Sequence, residues 1–159
     1  MKKACTLFAL LFSFTVFAQW QYRINQEERR LEAVSEIQFK DTRIAPLTFM
    51  VSKSRRLGID VSLNGSFFNQ NQEYYVLFEL GDQKIRVAQS LAKKQGLRLL
   101  EFKNLIDNEE YDSATFIKIL KAADYCTISL RSNSKVIQGE TDLSGSTYAI
   151  NEVLRGQFP

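Results

Sequence analysis

The sequence predicts a mainly β fold, an antiparallel β-sandwich of about eight or nine strands with two short α-helices. Apolar and polar residues alternate through much of the chain, which places one face of each strand on a core and the other in water. Turn signals separate these stretches, and only two stretches show helical spacing, too few for the crossovers of a parallel sheet. The length of 159 residues fits one domain, and 45% hydrophobic with 25% charged residues is typical of a globular protein.

The first 18 residues predict a secretory signal peptide. A positive start precedes an uncharged, mostly apolar run over residues 4–17, which ends in a small-residue cleavage pattern. We expect cleavage between Ala18 and Gln19, which leaves a single β-sandwich domain over residues 19–159, located in the periplasm or secreted. As a helix the apolar run spans about 21 Å, less than the roughly 30 Å of a hydrocarbon core, so a membrane anchor is the weaker interpretation.

Cleavage changes the charge and the cysteine count. The whole chain has 21 Lys and Arg against 18 Asp and Glu, a net charge of +3, with two Cys and no His. Removing the first 18 residues takes away two lysines and one Cys, leaving a net charge of +1 and Cys126 alone in 141 residues. This predicts no internal disulfide and no attraction to nucleic acid in the mature chain. No later stretch approaches 18 uninterrupted apolar residues, so we expect no membrane-spanning segment there. The absence of His removes Ser-His-Asp and Cys-His catalysis and His-based zinc sites.

The strands follow from alternation and from the turns between them. Alternating or strand-like stretches lie at residues 31–40, 47–52, 57–63, 74–89, 97–102, 126–131 and 135–143. The stretch 74–89 is a hairpin, because Gly81-Asp82 suits a two-residue turn with Gly first. Its register predicts three pairs that a one-residue slip would destroy: Phe78 with Ile85, Val76 with Val87, and Glu79 with Lys84. A second hairpin, turning at Asn133-Ser134, is predicted to pair Leu130 with Ile137 and Cys126 with Thr141.

Helical spacing of apolar residues predicts two helices of about three turns each, over residues 114–123 and 146–155. Such short helices are marginal alone, so each must pack on the sheets. The expected capping residues are Asp112 or Ser113 at the first start, Ser144 or Ser146 at the second start, and Gly156 at the second end.

Catalytic motifs are weak in this sequence. Ser-x-x-Lys occurs at residues 90–93 and 132–135 without the partner motifs of penicillin-recognising enzymes, so chance is the better explanation. Acidic residues gather over residues 107–112, where we favour a solvated loop before a helix start. A small carboxylate-dependent envelope hydrolase using Glu109 and Asp112 is the alternative. We expect no enzyme activity, no cofactor and no metal, with Cys126 as a buried structural thiol.

Candidate binding residues lie near predicted loops and on exposed strand faces. Two basic groups are interpreted as solvated connections, or alternatively as a patch for lipid headgroups, anionic glycan or a partner: Lys53, Arg55 and Arg56, and Lys93, Lys94 and Arg98. Four aromatic residues flank a polar loop and are expected mostly in the core: Phe67, Phe68, Tyr74 and Tyr75. The hairpin pattern points Tyr74 inward and Tyr75 outward. Tyr75 and Arg86, together on the exposed hairpin face, are the candidate binding residues.

The second half of the chain resembles two groups of small exported bacterial proteins. Phe116-Ile117-Lys118-Ile119-Leu120-Lys121 precedes a hairpin, and Thr141-Asp142-Leu143-Ser144-Gly145 leads into a closing helix. This order, with the hairpin over residues 75–87, is similar to that of the invasion-associated locus B family and of the small periplasmic protein associated with type VI secretion. The resemblance implies a β-sandwich accessory protein of the envelope and offers no catalytic residues.

These observations predict an exported, non-catalytic β-sandwich that binds a protein or another cell-envelope component. In one form of this hypothesis, the protein is an accessory of a secretion or surface system. A carbohydrate-binding module with exposed aromatic residues and the carboxylate-dependent hydrolase are the alternatives.

Overall fold

A computed structural model describes residues 20–133 and 135–158, which form eleven strands and two helices. The predicted cleavage site, Ala18 and Gln19, and the turn residue Ser134 lie outside these residues. The helices are α1 (Ser113–Ala122) and α2 (Ser146–Arg155). The strands are β1 (Gln21–Asn25), β2 (Arg30–Phe39), β3 (Leu47–Ser54), β4 (Gly58–Asn64), β5 (Glu73–Leu80), β6 (Gln83–Leu91), β7 (Gly96–Leu99), β8 (Phe102–Asn104), β9 (Glu110–Tyr111), β10 (Tyr125–Arg131) and β11 (Val136–Asp142).

The mainly β class with two short helices is confirmed, but the described strands number eleven rather than eight or nine. Two of the additional strands, β1 and β9, are only five and two residues long, and they pair with β2 and β8. The third arises because the stretch predicted as one strand over residues 97–102 is two. Glu101 has a φ of +55° between them, so the chain bends sharply and β7 and β8 join different neighbours.

All of these strands belong to one antiparallel sheet, in the order β7-β4-β3-β2-β11-β10-β5-β6-β8-β9, with β1 alongside β2. The sheet is strongly curled. Phe49 of β3 and Phe78 of β5 are separated by four strand spacings, about 19 Å in a flat sheet. Their ring centroids are nevertheless only 5.5 Å apart. The two halves of the sheet therefore face each other across a shared core.

Both hairpin registers are confirmed. In the first, Phe78 pairs with Ile85, Val76 with Val87, and Glu79 with Lys84. In the second, Leu130 pairs with Ile137 and Cys126 with Thr141. Gly81 has a φ of +61°, a left-handed conformation that explains why glycine suits this turn.

The helix bounds agree closely with the predictions, and one predicted cap is wrong. Asp112 caps α1 by accepting a hydrogen bond of 2.7 Å from the Thr115 N–H. At α2 the N-cap is Gly145, at a φ of +81° with no side-chain hydrogen bond, so neither Ser144 nor Ser146 has that role. The Ser144 N–H instead donates to the Asp142 carboxylate at 2.6 Å, which fixes the preceding turn. Gly156 ends the helix as predicted.

The core contains a continuous row of aromatic rings that crosses both halves of the sheet. The neighbouring ring centroids lie 4.2–5.5 Å apart in the order Trp20, Phe49, Phe78, Phe116 and Phe102. Phe116 comes from α1, which contacts β4 near one end of the sheet and β9 at the other. This helix therefore fills the space between the sheet ends. No helix in residues 20–133 and 135–158 has the length and apolar character required to cross a membrane.

One buried carboxylate on the opposite side of β2 is held by three donors. Glu32 is fully buried, and it accepts hydrogen bonds from Arg23 at 2.5 Å, from Asn25 at 3.1 Å and from Arg30. Burial alone would raise the pKa of Glu32, but the hydrogen bonds from the two guanidiniums and the amide outweigh it and lower the pKa. The cluster ties β1 to β2.

Glu32→Gln is expected to lower the free energy of unfolding at pH 7 by about 2 kcal/mol, because charge-assisted hydrogen bonds are lost. A carboxyl whose pKa is lowered by folding adds stability above its unfolded pKa, near pH 4.3, and loses it as the pH falls through the folded pKa. The difference between wild type and variant should therefore shrink in acid. Urea unfolding at several pH values, followed by fluorescence of the single Trp, measures this. Glu28→Gln is the control, since Glu28 pairs with Arg30 at 2.8 Å but is exposed. An equal loss in both variants at every pH would contradict the prediction.

Candidate functional site

An open groove of about 680 Å³ crosses the outer face of the half-sheet that contains both hairpins. We call it the Tyr75 groove. Its lining comes from β5, β6, β10 and β11 and from the loop after β8, and consists of Tyr75, Val76, Leu77, Arg86, Leu105, Ser129, Arg131 and Val136. The two candidate binding residues of the sequence, Tyr75 and Arg86, therefore lie in the same groove.

Strand register builds this groove. Leu77 of β5 pairs with Arg86 on one side and with Ser129 on the other. Residues directly opposite each other in an antiparallel sheet point to the same face, so these three side chains share the outer face. Tyr75 lies two residues before Leu77 on the same face and pairs with Arg131, which in turn pairs with Val136.

A β-bulge positions the Tyr75 ring. Between the pairs Tyr74–Ser90 and Val76–Val87 the register shifts, so Tyr75 lies opposite two residues of β6. Bulges re-aim nearby side chains and are common beside functional sites. The Tyr75 hydroxyl donates to the side-chain oxygen of Gln89 at 2.8 Å, and the Gln89 amide donates to Glu73. The ring is therefore held in place before any ligand arrives.

The groove exposes several apolar side chains on the outer face of the sheet, where polar side chains are expected. Tyr75 is 43% exposed, Leu105 is 43% exposed and Val136 is 66% exposed, while Leu77 between them is half-buried. Single exposed apolar residues are ordinary, but a contiguous group of them is typical of an interaction site.

Basic side chains border this apolar surface. Arg86 and Arg131 line the groove, and Lys103 of β8 lies directly opposite Arg86 across the β6–β8 pair. Within residues 20–133 and 135–158, no carboxylate forms an ion pair with Arg86, Lys103 or Arg131. The site therefore combines an apolar floor with cationic groups that have no anionic partner in the described chain.

Only one of the two carboxylates predicted for a hydrolase lines a cleft. Asp112 lines a neighbouring cleft of about 640 Å³, whereas Glu109 is exposed and does not line it. Hydrogen bonds from Thr115 at the start of α1 lower the pKa of Asp112. A general acid in glycoside hydrolysis needs a raised pKa, so this environment acts in the opposite direction. Within the two described ranges, no three acidic or cysteine side chains gather as potential metal ligands.

Half of the residues in the two predicted basic groups make contacts within the fold, and the other half are exposed. Lys53 donates to the carbonyl oxygens of Leu154 at 2.8 Å and of Gly156 at 3.3 Å, which stabilises the end of α2. Arg55 lies 5.8 Å from the centre of the Phe158 ring. Arg98 forms an ion pair with Asp60 across β7 and β4. Arg56, Lys93 and Lys94 are exposed in turns.

The remaining predicted candidates are buried, apart from Phe67, which is half-buried. Tyr74 is 1% exposed and packs edge-on against Phe68, with Phe67 close by. Cys126 is fully buried, and burial raises the pKa of its thiol. Both positions are core residues, in contrast to the exposed Tyr75 next to Tyr74.

Sequence reasoning missed the groove residues on the other strands. Arg131 and Val136 lie at the end of the second hairpin, whose alternation already pointed them outward. The missing information was that β10 pairs with β5, a contact between residues more than 40 positions apart in the chain. Comparison with protein-family models, with curated proteins and with solved structures found no match to this chain.

Proposed function

We propose that this chain is an exported, non-catalytic β-sandwich protein that binds a protein partner through the Tyr75 groove. The two facing halves of the curled sheet act as the layers of the sandwich. The observation that supports this function is the shared groove itself, in which Tyr75 and Val136 expose apolar surface beside Arg86 and Arg131.

A protein partner fits this surface better than other classes of ligand. Tyr and Arg are the residue types enriched at the centres of protein interfaces, where they contribute most of the binding energy. Val136 and Leu105 add exposed aliphatic groups that sugar hydroxyls do not satisfy, whereas the apolar side chains of a protein cover them. A ring fixed by the Gln89 hydrogen bond also loses little conformational freedom on binding.

The sequence pattern supports the export part of this proposal. The first 18 residues have the layout of a signal peptide, which directs the protein to the periplasm or outside the cell. The resemblance to the invasion-associated locus B family and to the small periplasmic protein associated with type VI secretion supports an accessory role in the envelope. The partner is then another protein of that compartment or of the cell surface.

Carbohydrate binding is the second candidate, because the Tyr75 ring is exposed and held in one orientation. Sugar rings stack on such aromatic faces. Tyr75 is, however, the single aromatic residue in the groove lining, and its neighbours Leu77 and Val136 are aliphatic. A glycan array separates the two functions, since binding to a defined glycan that Tyr75→Ala abolishes would favour this second candidate.

Site-specific photo-cross-linking in intact cells tests the proposed function. With photoreactive benzoylphenylalanine in place of Val136, we expect a discrete cross-linked protein that Tyr75→Ala reduces by at least tenfold, as expected for an interface hot spot. The matched control places the same group at Tyr148, an exposed aromatic position on α2. Equal products from both positions, or a product that Tyr75→Ala leaves unchanged, would contradict a binding site in the groove.

A further inference from the structure

We infer that the partner of the Tyr75 groove presents an extended acidic segment, with carboxylates toward Arg86, Lys103 and Arg131 and separate apolar residues over Tyr75 and over Val136. This inference rests on the proposed function and adds the chemistry of the partner. It follows from the arrangement of charge on the outer face of the sheet.

The first observation is a pair of like charges placed directly opposite each other. Arg86 and Lys103 are register partners on β6 and β8. Like charges in this position destabilise a sheet, whereas opposite charges stabilise it. The next outward-facing residue of β6, Lys84, has the favourable arrangement, since it forms an ion pair of 3.3 Å with Glu79. On β6, Lys84 therefore has an anionic partner within the chain, whereas Arg86 lies beside a second cation.

The nearby carboxylates of the described chain do not form an ion pair with either cation. Glu110 is the register partner of Lys103 on its other side, and Glu101 borders the neighbouring cleft that Arg86 also lines. Neither forms an ion pair with Arg86 or Lys103 among the described residues. An external carboxylate between the two cations would relieve their repulsion and form charge-assisted hydrogen bonds with both.

Arg131 extends the cationic site across the groove. It lies on β10, two strands away from the strand of Arg86. Along the strand direction it is displaced from Arg86 by one outward-facing position, which is two residues. With strands about 4.8 Å apart and residues about 3.3 Å apart, the Cα atoms of the two arginines are about 12 Å from each other. Carboxylates at positions i and i+4 of an extended segment lie about 13 Å apart on one face, which is close to this spacing.

The apolar floor selects a peptide over other anions. The residues between the cations are Tyr75 and Leu77, and Val136 lies beyond Arg131. A phosphate group or an anionic glycan would satisfy the cations but leave these apolar side chains in water. A segment that carries both acidic and apolar side chains covers both parts of the groove.

Selection from a random dodecapeptide display library tests the inference. Panning on the purified protein should enrich peptides with Asp or Glu within two positions of a large apolar residue. The best peptide and its Asn/Gln counterpart are then compared by calorimetry. We expect the acidic peptide to bind at least tenfold more tightly, R86Q or R131Q to weaken it by about tenfold, and salt to weaken it further. K84Q is the matched control, since it removes one positive charge from the same strand and face, and it should change binding less than twofold.

The outcomes separate this inference from the proposed function. Peptides enriched without acidic residues, or equal binding of the acidic and amide forms, would overturn the acidic partner; if Tyr75→Ala still abolished their binding, the protein-binding function would stand. Peptide binding insensitive to both Tyr75→Ala and R86Q would overturn both proposals. Failure to enrich any peptide, with heparin bound in an Arg86-dependent manner, would overturn the inference in favour of an anionic glycan.

Discussion

Phe116→Ala is expected to lower the free energy of unfolding by about 4 kcal/mol, because it removes a fully buried ring at a position where the surrounding core cannot collapse. The Phe116 ring stacks on Phe102 with 4.2 Å between centroids and an interplanar angle of 9°, and its centroid lies 5.0 Å from that of Phe78. It is the only link in the aromatic row that comes from a helix. Its removal divides the row and loosens α1 between the two ends of the sheet.

Urea unfolding followed by Trp20 fluorescence measures this loss, since Trp20 is the single Trp in the chain and begins the same aromatic row. The matched control is Tyr148→Ala, which removes an aromatic ring from the other helix at a position 69% exposed to solvent. It should change stability by less than about 0.5 kcal/mol. If Phe116→Ala were no more harmful than Tyr148→Ala, the packing of α1 on the core would be wrong.

The hairpins were predictable because their information is local. Gly81-Asp82 fixes the turn, the alternation on each side fixes the faces, and the Glu79–Lys84 pair confirms the register from the sequence alone. The helix bounds were predictable for the same reason. Apolar residues recur at helical spacing in both helices, Asp112 marks the start of α1, and Gly156 marks the end of α2. In each case a few consecutive residues contain the whole signal.

The closure of the sheet was not predictable from such local signals. The left-handed residue at the break between β7 and β8 is Glu101, which carries none of the usual glycine or asparagine signature. β1 is only five residues long, which is too short for its alternation to stand out, and Arg23 and Asn25 tie it to β2 by hydrogen bonds to the buried Glu32. A glutamate at a polar position of an alternating strand is expected to face solvent. The sequence therefore contains no sign that Glu32 is buried, and this cluster could be recognised only in the structure.

The candidate site was predictable in part, and the reason is similar. Tyr75 and Arg86 belong to one hairpin, so local register placed both on its exposed face. Arg131 reaches the groove through the pairing of β10 with β5, whereas Lys103 lines the neighbouring cleft and lies beside Arg86 through the pairing of β8 with β6. Both pairings depend on how the whole chain curls. The sequence therefore predicts one edge of the groove, and the tertiary fold supplies the other.

Gly139→Val is expected to lower the free energy of unfolding by about 3 kcal/mol, at the upper end for overpacking of a core. The two halves of the sheet are joined where β11 meets β2, through only two residue pairs, Gly139 with Phe39 and Glu140 with Gln38. A Cβ atom at Gly139 would lie 2.5 Å from Cγ2 of Ile37 and 2.9 Å from Cδ1 and Cε1 of Phe39. Both neighbours are buried, so neither has space to move away. The substitution should therefore open the junction between the halves.

Gln138→Val separates this steric effect from strand propensity, because it introduces the same residue one position earlier in β11, on the exposed face. Valine favours strands, so this control should leave stability unchanged within about 0.5 kcal/mol or raise it slightly. Urea unfolding compares the two variants, and amide hydrogen exchange locates the damage. Loss of protection is expected first in β2 and β11, because only two residue pairs hold this junction. Equal stability of the two variants would contradict this prediction. It would mean that the junction between β11 and β2 accommodates a side chain at position 139 without moving the two halves of the sheet apart.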